Sequence, residues 1–440
     1  MQDRLEVSGS GNLPPPSDAG GEDLTIGGIA ASRLAIAGEA RLPKVSFIVR
    51  NWNYGRYIGR TIDSILRQDY PDFEVVIVDN ASTDESRDVI ARHVGDDPHF
   101  RIRHAEVNLG SLGAGLLGLE QASGEFVAFI DSDDTLLSNF ASVHIQVHLA
   151  SRHNIAFTSS AALETGPDGG LFSGSRSRES VHEIATPGGL RSADVVPRLG
   201  SIDGKLYDLL GKHTFLLPPT PLTWPWSPGT SNVYRRHILD ILRPQCAPDD
   251  MAKLSADGHF NRLAHCLGGS ALIELPLSTY RIHGDNFAAS APSLAAMGGD
   301  GGPATKFHRV RAREMARVLV ANASDFSNRI GEKRYWSSLA FLFQLGGLTT
   351  PGDLAEWNRD GFFDEQVRQL AVAFGERKAI RKLAAFIPRP LLRCGVAALH
   401  AGKWPVHAHL ELHLSATRRL HARIKRAIRK RRRPLSTSPF

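Results

Sequence analysis

The stretch Phe126-Val-Ala-Phe-Ile130 runs straight into Asp131-Ser-Asp-Asp134. An apolar run with aromatic and β-branched members, ending abruptly in charge, reads as a buried parallel strand whose carboxyl end opens into a site. Asp131, Asp133 and Asp134 repel one another and lose hydration beside such a strand, so a cation is needed close by. Oxygen ligands favour Mg²⁺ or Mn²⁺, ions that usually share their coordination with substrate phosphates. A plainer use of the same residues is that Asp133 or Asp134 caps a helix starting near Leu136, but capping needs one acid and not three.

Upstream, Val45-Ser-Phe-Ile-Val49 predicts a first strand that breaks into the polar and aromatic loop Asn51-Trp-Asn-Tyr-Gly55. Ile58, Ile62, Ile65 and Leu66 fall at helical spacing between Tyr57 and Gln68. Phe73 to Val78 is a second strand closed by Asp79-Asn80, and Ser82 with Glu85 forms a capping box for the next helix. A third strand over 101–107 and a helix over 111–122 complete an alternation that calls for a parallel sheet covered on both faces. Trp52, Asp79 and Asp131 would then share the carboxyl edge, where such sheets bind ligands.

Downstream, 162–217 is rich in Gly, Ser and Pro and predicts irregular loops. Trp224-Pro-Trp226 suits the apolar face of a sugar or simple packing. A helix follows Asp257, with Phe260, Leu263 and Leu267 on one face, so Asp257 could be a plain N-cap. Tyr280-Arg-Ile-His-Gly-Asp-Asn286 reads as a charged loop, 291–303 as a linker, and 306–398 as helical. His144 and His148 have metal spacing without a third ligand, which favours packed or surface histidines. Arg235-Arg236 could meet a phosphate or start a solvated helix.

The chain has 440 residues and a formal net charge of +6. That balance hides an asymmetry, because Arg377 to Arg433 holds about 17 Lys and Arg against the single acid Glu411, leaving the remainder near −10. Cys246, Cys266 and Cys394 are widely spaced, which suggests neither a disulfide framework nor a zinc site. No apolar run is long enough to span a bilayer, and a cytoplasmic enzyme is expected. Leu420, Ile424 and Ile428 form an apolar stripe amid the Lys and Arg of 418–433, the pattern of an interfacial helix drawn to anionic lipid. A solvated tail, or one that meets nucleic acid without specificity, has the same composition.

Val78-Asp79, Asp131-Ser-Asp-Asp134 and Tyr280-Arg-Ile-His283 together resemble the family 2 glycosyltransferases of GT-A fold over about 43–287. The resemblance implies an α/β fold with a mostly parallel sheet flanked by helices, a nucleotide-sugar donor (usually a UDP-sugar), a divalent metal, and inversion at the anomeric carbon. It implies donor contacts by Asn51, Trp52, Asn53, Asp79, Asn108, Asp131 and His283, with Trp52 against the base and Asp79 accepting a base N–H. It places the metal on Asp133, with Asp131 and His283 beside it, and the general base at Asp257. The acceptor would be a glycan or lipid-linked hydroxyl, with peripheral membrane contact through the basic tail. Three positions depart from the family pattern: Arg50 where Pro is frequent, Ala114-Gly115-Leu116 where Ala-Arg-Asn is usual, and Ala256-Asp257 in place of an acidic pair.

The organisation expected is a disordered leader over 1–41, a GT-A domain over 42–300, a helical accessory domain over 301–400 and a basic tail over 401–440. Two rival classes share parts of this pattern. A nucleotidyltransferase would also use metal and carboxylates, but it would carry a Gly-rich basic loop after its first strand. A catalytically inactive carbohydrate-binding module would not need Asp131, Asp133 and Asp257 together. Gly113-Ala-Gly-Leu-Leu-Gly118 matches a dinucleotide fingerprint, yet the preceding strand ends too early for these glycines to form its turn.

Overall fold

The computed structural model describes residues 25–26, 29–30, 41–175, 186–187, 189–192, 196, 198–220, 224–227, 229–284, 286, 308–347 and 357–400. The linker over 291–303 and the basic stripe over 418–433 lie outside the described residues, as does most of the leader. Within the leader, Thr25–Ile26 pairs with Ile29–Ala30.

The first half of the chain alternates β1 Val45–Asn51, α1 Gly55–Leu66, β2 Phe73–Asp79, α2 Ser86–Val94, β3 Phe100–His104, α3 Gly110–Gln121 and β4 Phe126–Asp131. These four strands are parallel in the order β3, β2, β1, β4. Then follow α4 Phe140–Ala150, β5 Phe157–Thr165, β6 Leu171–Ser175, β7 Thr186–Pro187, α5 Gly204–His213 and β8 Thr214–Leu217. The stretch expected to be irregular therefore holds a helix and sheet-edge strands. Their short apolar pattern was masked by the surrounding Gly and Ser. Next come β9 Asn232–Arg235, α6 Arg236–Ile241, α7 Pro248–Met251, α8 Ala256–Gly268 and β10 Ser270–Arg281. β9 inserts antiparallel between β4 and β5, and β10 lies parallel to β5. The α/β class with flanking helices stands as expected. The sheet is mixed: β1 to β4 are parallel, and β5 and β10 make a second parallel pair beyond the antiparallel β9.

Why the middles of β1, β2 and β4 are apolar is clear from their two faces. Val45, Phe47, Val49, Val75, Ile77, Ala128 and Ile130 join one core, with residues of α1, α2 and α4. The alternate residues Ile48, Val76, Val78, Val127 and Phe129 join a second core with α3 and α8. Period-2 side chains buried on both sides leave few polar positions, and the buried Ser46 and Glu74 near the strand starts satisfy each other at 2.7 Å. On the second face α3 lies close against the sheet: a Cβ at Gly118 would stand 2.3 Å from Ile48 Cγ2, and one at Gly115 3.2 Å from the Phe129 ring. The glycine triplet is a packing device, and the dinucleotide reading fails on that contact.

The helices α9 His308–Ala321, α10 Ala323–Ile330, α11 Glu332–Leu345, α12 Phe362–Phe374, α13 Glu376–Leu383 and α14 Arg389–Leu399 form the helical C-terminal region. Their apolar residues, among them Met315, Phe326, Leu339 and Phe363, continue the α3/α8 core without a break. No helix among the described residues is long and apolar enough to cross a membrane.

Candidate active site

Register brings the acids together. In the parallel pairing of β1 with β2 and β4, Asn51 faces Asp79 and Arg50 faces Asp131. The strand ends therefore present two acids and a cation on one edge of the sheet. β10 ends on the same edge at Arg281, delivering His283, and the turn Gly229–Ser231 before β9 enters there.

The cation that meets Asp131 belongs to the protein. Arg50, with a side chain only 5% exposed, donates through Nη2 to Asp131 Oδ1 at 2.6 Å and through Nη1 to Ser111 Oγ at 2.7 Å. Burial against the strand end pushes the Asp131 carboxyl up to about 6; Arg50 opposes this, while Asp133 and Asp257 add to it. Some 40% of the Asp131 side chain remains open. Asp134 is fully enclosed, accepting from Thr230 Oγ1 at 2.6 Å and from the Arg281 amide at 3.0 Å. Burial, then Asp133 and Asp131, drives its carboxyl well above the usual range. Neither Asp133 nor Asp134 caps a helix, since α4 starts only at Phe140 with Asn139 before it.

Asp133 has a different partner. Its Oδ2 lies 3.0 Å from His283 Nε2, and the His283 ring packs between Tyr54 and Tyr57 at centroid distances of 5.3 and 5.1 Å. Among the described residues no group of three or more His, Cys, Asp or Glu converges on a metal position. One carboxylate and one imidazole are nevertheless a donor set that suits an ion completing its shell with diphosphate oxygens and water.

The loops after β1 and β2 are tied to each other. Asn51 Nδ2 and the Asn53 amide both donate to Ser82 Oγ, at 3.1 and 2.9 Å, while Asn53 Oδ1 accepts from the Thr83 amide at 2.7 Å. The expected capping box does not form, because Ser82 is engaged in this way. Asp84 instead accepts from the Ser86 amide at 3.1 Å and the Gly55 amide at 2.9 Å, tying the starts of α1 and α2. Asp79 is wholly buried, with Oδ2 receiving Arg87 Nε at 2.8 Å. Burial would raise its carboxyl, but hydrogen bonds from Ser82, Arg87, His104 and Asn51 outweigh that and hold it low. Asn108 Oδ1 accepts from Asn80 Nδ2 and the Gly110 amide, both at 2.8 Å, and so shapes the entry to α3. Trp52 is 51% exposed.

Asp257 is not the cap of α8. Ser255 takes that place, accepting from the Gly258 amide at 3.2 Å, and Asp257 sits in the first turn with Oδ1 on the same amide at 2.7 Å. A Cβ built on Gly229 would lie 3.9 Å from Asp257 Cβ, 3.5 Å from Asp131 Oδ2 and 3.2 Å from Arg50 Nη2, so these three residues converge under the turn.

Other candidates prove structural. Trp226 is buried, its Nε1 donating to Ser270 Oγ at 2.9 Å. His144 and His148 are buried, 2.7 Å from Thr158 Oγ1 and 3.2 Å from the Val233 carbonyl. Arg236 donates to the Ala122 and Leu119 carbonyls at the end of α3, and Arg235 to that of Ile155. Sequence reasoning missed Arg50 and Thr230 as site residues. An arginine closing an otherwise apolar strand was the available signal for Arg50; for Thr230 there was none.

Comparison with known proteins places residues 46–168 in the family described as glycosyl transferase family 2. An uncharacterized glycosyltransferase of Nostoc sp. is 30% identical over 292 residues, 66% of this chain and 77% of that protein. A GalNAc(5)-diNAcBac-PP-undecaprenol beta-1,3-glucosyltransferase of Campylobacter jejuni is 37% identical over 24% of this chain and 34% of its own length. Among solved structures, S. aureus TarS 1-349 in complex with UDP-GlcNAc covers 86% of this chain and 92% of that chain, at 15% identity and a TM-score of 0.44.

Proposed function

The chain belongs to glycosyl transferase family 2, and on that premise we propose that it transfers a sugar from a UDP-sugar to a hydroxyl of a glycan or lipid-linked acceptor, with inversion. The observation that carries this reading is the meeting of Asp131, Asp133, His283 and Asp257 on one sheet edge. The exposed Trp52 offers a stacking face for the base, and Asp79 lies behind the same loop. Asp131, oriented by Arg50, is suited to a ribose hydroxyl. Asn51, Asn53 and Asn108 hold the loops that frame the nucleotide. Asp133 and His283 are the residues that would hold Mg²⁺ or Mn²⁺, whose charge would stabilise the leaving diphosphate. Asp257 would accept the proton of the attacking hydroxyl. For the acceptor class, the Campylobacter jejuni relative is named for a PP-undecaprenol-linked glycan.

Calorimetry of UDP binding with and without EDTA tests the metal. UDP should bind more tightly with Mg²⁺ or Mn²⁺, and Asp133→Ala should abolish the difference; equal affinity in the wild type would remove the metal. A hydrolysis screen over nucleotide-sugars would identify the donor without the acceptor. The basic stripe over 418–433 would dock the enzyme on the inner membrane face. Unchanged sedimentation with anionic liposomes after deletion of 415–440 would refute that role.

A further inference from the structure

Beside Asp257 the chain assembles a positive cluster that the donor reading does not use. α9 lays Arg311 over the first turn of α8, so closely that a Cβ at Gly258 would come within 2.8 Å of its Cζ and Nε. Arg262, four residues further along α8, stacks its guanidinium 4.8 Å from the Trp224 ring centre. Both arginines are 6% exposed. Among the described residues, Arg262 Nε and Nη1, Arg311 Nε and His308 Nδ1 are buried without a hydrogen-bond partner. The amino end of α8, itself the positive pole of the helix dipole, adds to the same field.

Such an arrangement is unfavourable as it stands. Burial, then the nearby Arg311, pulls the Arg262 guanidinium down to about 10, and burial followed by both arginines lowers His308. Asp257 is the carboxylate close enough to oppose the effect on each arginine. It forms no ion pair with either, and it also stands by Asp131 under the Gly229 turn. Unpaired buried donors of one sign are what an oxyanion with several lone pairs satisfies, through charge-assisted and forked hydrogen bonds.

We propose that Arg262 and Arg311, with the first turn of α8, form a subsite for an oxyanion, a phosphate ester or carboxylate, carried by the acceptor. This rests on the reading of Asp257 as the group that faces the acceptor hydroxyl. The donor diphosphate has its own place at Asp133 and His283, so the two anion sites are distinct. The accessory helices thereby select the acceptor, since Arg311 comes from α9.

The test is calorimetry on the full chain with glycerol 3-phosphate as probe, with UDP already saturating. The wild type should bind the ester, more tightly than inorganic phosphate. Arg262→Gln and Arg311→Gln should each weaken it roughly tenfold or more with UDP affinity unchanged, as loss of a charge-assisted hydrogen bond implies. Asp257→Asn should tighten it severalfold, because the competing carboxylate is gone, and this variant carries the test if the arginine variants do not fold. No ester binding with UDP bound, binding that UDP displaces, equal binding in the arginine variants, preference for free phosphate, or no tightening in Asp257→Asn would each overturn the subsite. A wild type that binds the ester but not UDP would overturn the donor reading and not the subsite.

Discussion

Replacing Asp257 by Asn separates chemistry from stability because the structure already fixes what the helix loses. Ser255 remains the cap of α8, and Asn keeps an acceptor oxygen for the Gly258 amide that Asp257 now binds at 2.7 Å. What disappears is one negative charge in the first helical turn, worth about 0.3–1 kcal/mol against the helix dipole. Some attraction to Arg262 and Arg311 goes with it, so about 1 kcal/mol is the expected fall in stability, with a drop in Tm below about 4 °C. As a general base, by contrast, Asp257 should supply roughly 10²–10⁴-fold in turnover, or about 3–5 kcal/mol of barrier. The assay is transfer, or slow donor hydrolysis if no acceptor is found, beside UDP calorimetry and thermal unfolding of the same preparation. The expected result is a folded variant with wild-type UDP affinity and turnover reduced at least about 100-fold. Turnover within about threefold of wild type in that folded, UDP-binding variant would refute the assignment. Asp250 on α7 is a poor substitute, being paired with Lys253 at 2.9 Å, so the search would turn to Asp249 or the substrate.

Two further outcomes concern the framework. Burial would raise the Glu74 carboxyl, but bonds from Ser123, Ser46 and Arg101 hold it at about 2 against an ordinary 4.5. Its contribution, on the order of 3 kcal/mol, should be complete above pH 4.5 and lost as the pH falls towards 2. Urea unfolding across that range should show the loss in the wild type and a flatter profile in Glu74→Gln; parallel profiles would discount Glu74. Gly118→Ala should destabilise by about 1–3 kcal/mol through overpacking against Ile48 while UDP affinity holds. A selective loss of nucleotide binding in a stable Gly118→Ala protein would restore a phosphate role to those glycines.

The sequence by itself determined the four N-terminal strands and the edge on which the acids lie, while the strands of the second half were not legible in it. An apolar run such as 126–130, short and rich in aromatic and β-branched residues, reads as a strand covered on both faces, and the abrupt change to Asp131 marks where cover ends. It also carried the family, since the acid motifs are local. Only the tertiary structure decided which charge meets which. Arg50 reaches Asp131 across 81 residues because β1 and β4 are neighbours in register. Asp133 meets His283 across 150 residues because β10 ends on the same edge. The glycines of α3 went to packing because close contact with Ile48 and Phe129 on the distant strands decides it, whereas the cap of α8 passed to Ser255 through a local bond from the Gly258 amide. Arg262 and Arg311 show the limit most plainly: each sits on an ordinary amphipathic helix, and only the docking of α9 on α8 buries the two beside Asp257. Periodicity is a local property of the chain, whereas a buried charge acquires its partner, or lacks one, only when separate elements pack.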